Sequence, residues 1–246
     1  MLRLSRLLIP PLSVFSLAAP LPAQAPGPLC SAQQAKLIPL GQGQYYGSSV
    51  SLDDATVAIG AIGHSSNGSG AGSVYVHTRS GTIWTQQARL LASDGRPDDW
   101  LGFSVALSGD VVAAGAPQHD VAFGNEGAVY VHRRVGAVGT QEAKRLRPGR
   151  PIPASQFGRS VALNGDQLLI GSPEWLTGTA GAVHVYQHDG NSWVFKTALL
   201  ASDGQQGHAL GTSVSLDGVS ALVAAPGNSA AYVFVGSGAS WVQEAK

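Results

Sequence analysis

The chain has 246 residues with 15 basic and 15 acidic side chains, so its net charge is zero and it lacks the basic excess of a nucleic-acid binder. Charged residues make up 12 % and glycine fills 32 positions, against usual shares of about 25 % and about 7 %. This balance excludes coiled coil and disorder and suits short strands joined by tight turns.

Residues 1–25 read as an export signal. Arg3 and Arg6 give a basic start, Leu7 to Ala19 is an apolar run broken by Pro10 and Pro11, and Ala23-Gln24-Ala25 has the small-x-small form of a cleavage site. Pro26 follows it, so Ser16-Leu17-Ala18 stands as a second cleavage point. A membrane anchor needs roughly 20 apolar residues; this run is shorter and no later segment reaches that length, so membrane insertion is not expected. The single cysteine, Cys30, can form no internal disulfide, and Gly27-Pro28-Leu29 before it makes a poor lipid-attachment box. The expected location is secreted or otherwise extracytoplasmic.

Residues 26–45 form an N-terminal segment. Within it Gln33-Gln34-Ala35-Lys36-Leu37-Ile38 matches Gln86-Gln87-Ala88-Arg89-Leu90-Leu91, which reads as a stray copy of a strand that recurs later.

A repeated unit then occupies residues 46–246, in copies 46–100, 101–156, 157–209 and 210–246. Tyr46-Gly47-Ser48-Ser49-Val50-Ser51-Leu52 recurs around Gly102, Gly158 and Gly211, with periods of 55, 56 and 53 residues. A second apolar run stops at Gly60-Ala61-Ile62, Gly115-Ala116-Pro117, Gly171-Ser172-Pro173 and Ala224-Ala225-Pro226. A third contains Val74-Tyr75-Val76-His77, Val129-Tyr130-Val131-His132, Val183-His184-Val185-Tyr186 and Tyr232-Val233-Phe234. A fourth begins at Trp84, Trp193 or Trp241, with Gly139 in that place in the second copy. Short runs rich in Val, Tyr and Trp, bounded by Gly, Asn and Asp, are strands. Asn164-Gly165 and Asp217-Gly218 read as two-residue hairpin turns between the first and second runs. Pro117, Pro173 and Pro226 end the second, because proline cannot donate to a ladder. The predicted fold class is all-β: a β-propeller of four-stranded antiparallel blades with four recognisable repeats, open or incomplete as a ring.

At these residues the chain resembles the FG-GAP repeat family, named for Phe-Gly and Gly-Ala-Pro. Phe157-Gly158 and Gly115-Ala116-Pro117 match literally, and the resemblance covers roughly residues 32 to 246. It implies a propeller like the extracellular N-terminal domain of integrin α subunits, with protein binding and cell adhesion as the associated roles. Blades of that type often carry a calcium loop between their first two strands. Here that place holds Asp53-Asp54-Ala55, Ser108-Gly109-Asp110, Asn164-Gly165-Asp166 and Asp217-Gly218-Val219. Such tight turns cannot supply the roughly six to eight oxygens calcium takes, so the family's calcium sites are not carried over.

Other chemistry is sparse. Asp94, Asp98 and Asp99 are the remaining calcium candidate, three carboxylates in six residues; the later copy keeps only Asp203, which favours a turn-forming role. His77, His132 and His184 share columns with Tyr and Phe, which points to packing and not to zinc. Gly68-Ser69-Gly70-Ala71-Gly72 is followed by a strand and lacks the helix a phosphate cradle needs. Asn67-Gly68-Ser69 is a glycosylation sequon, and Trp84, Trp193 and Trp241 offer either sugar stacking or packing. No nucleophile elbow or local triad occurs, so neither catalytic residue nor cofactor is assigned.

The leading reading is a secreted, non-enzymatic module that recognises protein or glycan through its loops. The alternatives are a propeller enzyme acting on polysaccharide (lyase or hydrolase) and a sugar-binding lectin. Counting the stray copy, fourth runs outnumber the others, so either the array is longer or an unpaired edge strand closes it by association.

Overall fold

A computed structural model describes residues 35–41, 44–135, 138–174 and 178–246. The expected export signal with its candidate cleavage points, Cys30 and Gln33-Gln34 lie outside these residues.

Four sheets follow in chain order, each an antiparallel meander of four strands. Blade 1 is β1 (Tyr46–Asp53), β2 (Thr56–Ala61), β3 (Ser73–Ser80) and β4 (Ile83–Leu90). Blade 2 is β5 (Ser104–Ser108), β6 (Val111–Ala116), β7 (Ala128–Val135) and β8 (Val138–Leu146). Blade 3 is β9 (Ser160–Asn164), β10 (Gln167–Ser172), β11 (Ala182–His188) and β12 (Trp193–Leu199). Blade 4 is β13 (Ser213–Asp217), β14 (Ser220–Ala225), β15 (Ala230–Ser237) and β16 (Ser240–Ala245), with a 3-10 turn at Pro226–Asn228. The second strands of blades 2 to 4 stop directly before Pro117, Pro173 and Pro226, as the missing N–H requires. The hairpin turns fall one residue later than the sequence suggests. Asn164 and Asp217 still pair in their strands, and Gly165 and Gly218 are the first turn residues, at φ 55° and 54°.

The first strands β1, β5, β9 and β13 pack side by side, and each seam between blades is filled by one apolar cluster. Val74, Val76 and Leu90 of blade 1 meet Val105, Leu107 and Val112 of blade 2. Val129 and Val131 meet Val161, Leu168 and Ile170 at the next seam. Leu169, Val183 and Val185 meet Val223 and Phe234 at the last. Each large side chain so buried contributes about 1.5–3 kcal/mol. A repeated hydrogen bond adds about 1 kcal/mol to each seam: Ser49, Ser104 and Ser160 donate Oγ–H to the carbonyls of Gly102, Gly158 and Gly211 at 2.7, 2.8 and 2.7 Å. Burial therefore holds the blades together and the serines set their register.

Close approach at the seams demands glycine in two columns. A Cβ on Gly60, Gly115 or Gly171 would fall less than 3.0 Å from the carbonyl oxygen of Gly102, Gly158 or Gly211. A Cβ on Gly72, Gly127 or Gly181 would meet the carbonyls of Leu101, Phe157 and Leu210 as tightly. Blade 4 carries Ala224 and Ser229 in these columns. Its β14–β15 connection is also cut to the turn at Pro226–Asn228 and Ser229, where blades 1 and 2 have loops of 11 residues (62–72 and 117–127).

The sheets do not close into a ring. On β1, Val50 and Leu52 are 68 % and 67 % exposed, whereas their blade 2 equivalents Val105 and Leu107 are 9 % and 7 % exposed. The stray strand copy also resolves differently from the sequence reading, since residues 35–39 form no strand. The Leu40 N–H donates to Gln86 Oε1 at 2.9 Å, as Ser93 N–H does to Gln141 and Ser202 N–H to Gln243. The segment thus occupies the place of a linker leaving a fourth strand.

Candidate functional site

In an antiparallel meander the first–second and third–fourth turns lie at one end, and the second–third loops and inter-blade linkers at the other. The longer connections of blades 1 to 3 therefore share an end with every linker. Each linker enters its blade through a residue at positive φ: Tyr45, Trp100, Gln156 and Ala209, at 55°, 60°, 52° and 59°. Backbone bonds dock the linker on the preceding loop. At the first seam Asp98, Trp100 and Leu101 N–H groups donate to the carbonyls of Ser69, Gly70 and Ala71.

A cleft of about 420 Å3 opens there, lined by Gln44, Tyr45, Ile62, Gly63, Ser69, Gly70, Asp98 and Trp100. Two glycines make room for its walls. A Cβ on Gly63 would strike the Tyr45 ring, and one on Gly70 would strike Asp98 Oδ1. Trp100 stacks on Phe103 with centroids 6.2 Å apart and planes at 11°, and the Arg159 guanidinium caps Phe103 at 4.7 Å. Phe103 is not part of the lining, so the stack fixes Trp100 as the ring presented to the cleft. Asp98, at φ 63°, is exposed, and its carboxylate has no hydrogen-bond partner among the described residues. Non-glycine residues at such angles merit a functional question.

The other carboxylates at this end are bound internally. Asp94 Oδ1 accepts from Tyr130 Oη at 2.7 Å and its Oδ2 from Lys144 Nζ at 2.5 Å. Partial burial opposes the Asp94 charge, but Lys144 and Tyr130 outweigh it and hold the carboxyl below its usual range. Lys144 also donates to His119 Nε2 at 2.9 Å, which leaves Nδ1–H to donate to Asp99 Oδ2 at 2.9 Å. The arrangement repeats in blade 4, where Asp203 takes Tyr232 and Lys246. Recurrence in a second blade marks it as scaffold. Asp94 and Asp99 thus lie on either side of one His119–Lys144 bridge while Asp98 lines the cleft, and no metal-binding cluster forms among the described residues. Buried Glu174 accepts from Arg147 Nε at 2.6 Å.

Glu126 anchors the loop of blade 2. Its buried carboxylate accepts the N–H groups of Val121, Ala122, Phe123 and Gly124 at 3.0, 2.8, 2.5 and 3.0 Å. Burial raises its pKa, but these bonds outweigh burial and leave it below the ordinary 4.5. Because the folded value is depressed, the anchoring is complete above pH 4.5 and is lost as pH falls through the folded pKa. Glu126→Ala is expected to expose residues 120–125 to protease at neutral pH, and acidification through the lowered folded value to do the same in the unaltered chain. Limited proteolysis with fragment mass measurement checks both.

The remaining sequence candidates lie in the sheets. His77, His132 and His184 are buried in their blades. Trp193 is buried, Trp241 donates Nε1–H to Gly238 O, and Trp84 lies beneath Arg79. The sequence reading missed the cleft aromatics. Their signal was an aromatic two residues before the seam glycine, in Gln44-Tyr45-Tyr46-Gly47 and Asp99-Trp100-Leu101-Gly102.

The FG-GAP repeat family model matches residues 32–77, 84–132 and 193–245. The first match takes in the linker-like segment, and the unmatched stretch holds most of blade 3, whose sheet follows the same topology. No curated protein shows significant similarity to the chain.

Proposed function

The chain belongs to the FG-GAP repeat family, and on that premise we propose that it is a secreted, non-enzymatic binding module whose ligand, protein or glycan, docks at the cleft between blades 1 and 2. The observation that carries this reading is the contrast at the loop end. Asp94, Asp99, Glu126 and Glu174 are tied to neighbours, while the side chains of Tyr45, Trp100 and Asp98 are presented together without hydrogen-bond partners among the described residues. Asp98 is the only carboxylate among the lining residues. Glycoside hydrolysis ordinarily uses two carboxyl groups, about 5–9.5 Å apart, so the cleft is better suited to holding a ligand than to cleaving one. Repeats of this family are typical of extracellular domains, and no helix among the described residues is long and apolar enough to cross a membrane.

Incubating the purified chain with polysaccharide and ester panels should leave every substrate unchanged by chromatography. Product formation lost in Asp98→Asn would replace the reading with the enzymatic alternative. Fractionation of the producing cell should place the chain outside the cytoplasm, shortened at Ala25 or Ala18.

A further inference from the structure

We infer that the cleft between blades 1 and 2 is a subsite for one neutral pyranose ring, the terminal or internal sugar of a glycan. This rests on the binding-module reading and names its ligand class. A pyranose has an apolar C–H face and a rim of hydroxyl groups. A site for it needs an aromatic platform for the face and fixed hydrogen-bonding groups for the rim. The cleft supplies both.

Trp100 is the platform. It is held from behind by Phe103, which is itself capped by Arg159, so ligand binding orders few new side-chain torsions. Tyr45 offers a second ring, 75 % exposed and seated on Gly63. Amphipathic rings with few torsions are efficient contact surfaces. Around them stand the Asp98 carboxylate, the Gln44 amide and the Ser69 hydroxyl. A carboxylate accepting from a hydroxyl makes a charge-assisted bond, stronger than a neutral one. The volume of about 420 Å3 is at the scale of one sugar ring with room for its neighbour's linkage, within the roughly 300–1,000 Å3 of small-molecule sites.

Charge decides between sugar classes. Asp98 is the only residue in the lining charged near neutral pH. The Arg159 guanidinium lies over Phe103 and outside the lining. An acidic sugar would bring its carboxylate toward Asp98, so uronates and sialic acids are disfavoured.

The other seams lack these groups. At the seam of blades 2 and 3, Gln118, Asn125, Ala154 and Gln156 stand in the columns of Gly63, Gly70, Asp98 and Trp100. At the seam of blades 3 and 4 the last two columns hold Gly207 and Ala209. The positive-φ backbone recurs at Ala154, Gln156 and Ala209 without the aromatic or acidic side chains. The fold supplies the shelf at every seam, and blades 1 and 2 alone furnish it for a sugar. One site per chain follows.

The test titrates the full chain with methyl glycosides of glucose, galactose and mannose, with oligosaccharides of each, and with methyl glucuronate, followed by calorimetry and tryptophan fluorescence. At least one neutral pyranoside should bind at one site per chain, with Kd for a single ring of roughly millimolar order. Glucuronate should not bind. Tyr45→Ala should weaken binding about tenfold, and Asp98→Asn about threefold or more. Tyr45 is exposed and asparagine tolerates positive φ, so both variants should melt with the unaltered chain. Trp100→Phe should remove most of the fluorescence response while binding persists. The inference is overturned if no neutral pyranoside binds, alone or in oligosaccharides, or if Tyr45→Ala and Asp98→Asn bind as well as the unaltered chain. A peptide or protein that binds and is lost with Tyr45→Ala, while sugars fail, would remove the sugar and keep the binding module. Turnover of a glycan would remove the module itself.

Discussion

Gly115→Ala is expected to destabilise the chain by about 3 kcal/mol or more, a fall in melting temperature of roughly 6–12 °C for a chain of this size. The added methyl would lie less than 3.0 Å from both Ser104 Oγ and the Gly158 carbonyl oxygen. The serine can rotate away by giving up its seam bond. The carbonyl cannot, because the Gly158 N–H is bonded to Gly171 O in its own blade and the linker before it is docked on the blade 2 loop. Blade 3 as a whole would have to shift outward and open the cluster around Val129, Phe157 and Ile170. A methyl is already present at the fourth position of this column, Ala224, and Ala224→Gly should cost only the glycine's extra chain entropy, about 0.5–1 kcal/mol. Thermal melts of the two variants check the contrast. Equal small effects would mean that the seams are soft.

The same column differs in blade 4, where Ala224 stands in place of glycine. A following blade packed as blade 2 packs on blade 1 would drive its seam carbonyl into the Ala224 methyl. It would also meet Ser229 where Gly72, Gly127 and Gly181 leave space. Ala231 replaces the Val74, Val129 and Val183 of this face. The outer face of blade 4 is thus fitted to solvent or to a partner of another shape. Blade 1 is different. Tyr45 keeps the positive-φ geometry, and Val50 and Leu52 remain uncovered. The outer faces of blades 1 and 4 are therefore not complementary in the repeat's own packing.

Most of the fold was legible because the repeat's rules are local. A strand shows in alternation, a hairpin in its glycine, a strand end in its proline. The stray fourth-strand copy misled for a non-local reason. Residues 86–90 pair with β3, whereas Ala35 to Ile38 pair with no strand among the described residues and extend as a linker. A strand needs a partner that its own letters do not name. The acidic triplet, a calcium candidate with a turn-forming role favoured on sequence, is divided by the fold. Spacing puts Asp94, Asp98 and Asp99 together, but the backbone turns between them commit Asp94 and Asp99 to the Lys144–His119 pair. Asp98 is left facing Tyr45, a residue one repeat away. A cleft built across a seam becomes visible only when equivalent columns of adjacent blades are read as neighbours.

Acidification from pH 7 to pH 5 is expected to lower stability, with His184 the largest single source. Its ring is 4 % exposed and lies against Phe157 and Phe195 at 5.4 and 6.1 Å, and neither nitrogen has a partner among the described residues. Burial first, and the nearby Arg147 guanidinium second, push its pKa from 6.5 down to about 3. A lowered histidine value means that the unfolded chain binds the proton first. Stability is therefore full above pH 6.5 and declines as pH falls toward the folded value. Between pH 7 and 5 this one ring costs about 2 kcal/mol, or roughly 4–8 °C in melting temperature. His64, His77 and His132 are shifted the same way, chiefly by burial, and add to the trend. The carboxylates held low by their partners lose charge only below this window, so they do not confuse it. His184→Phe keeps the ring and removes the titration. Its melting temperature should fall less than that of the unaltered chain over the same interval. An unchanged fall would show that the His184 ring is solvated in solution and that blade 3 is packed more loosely than its neighbours.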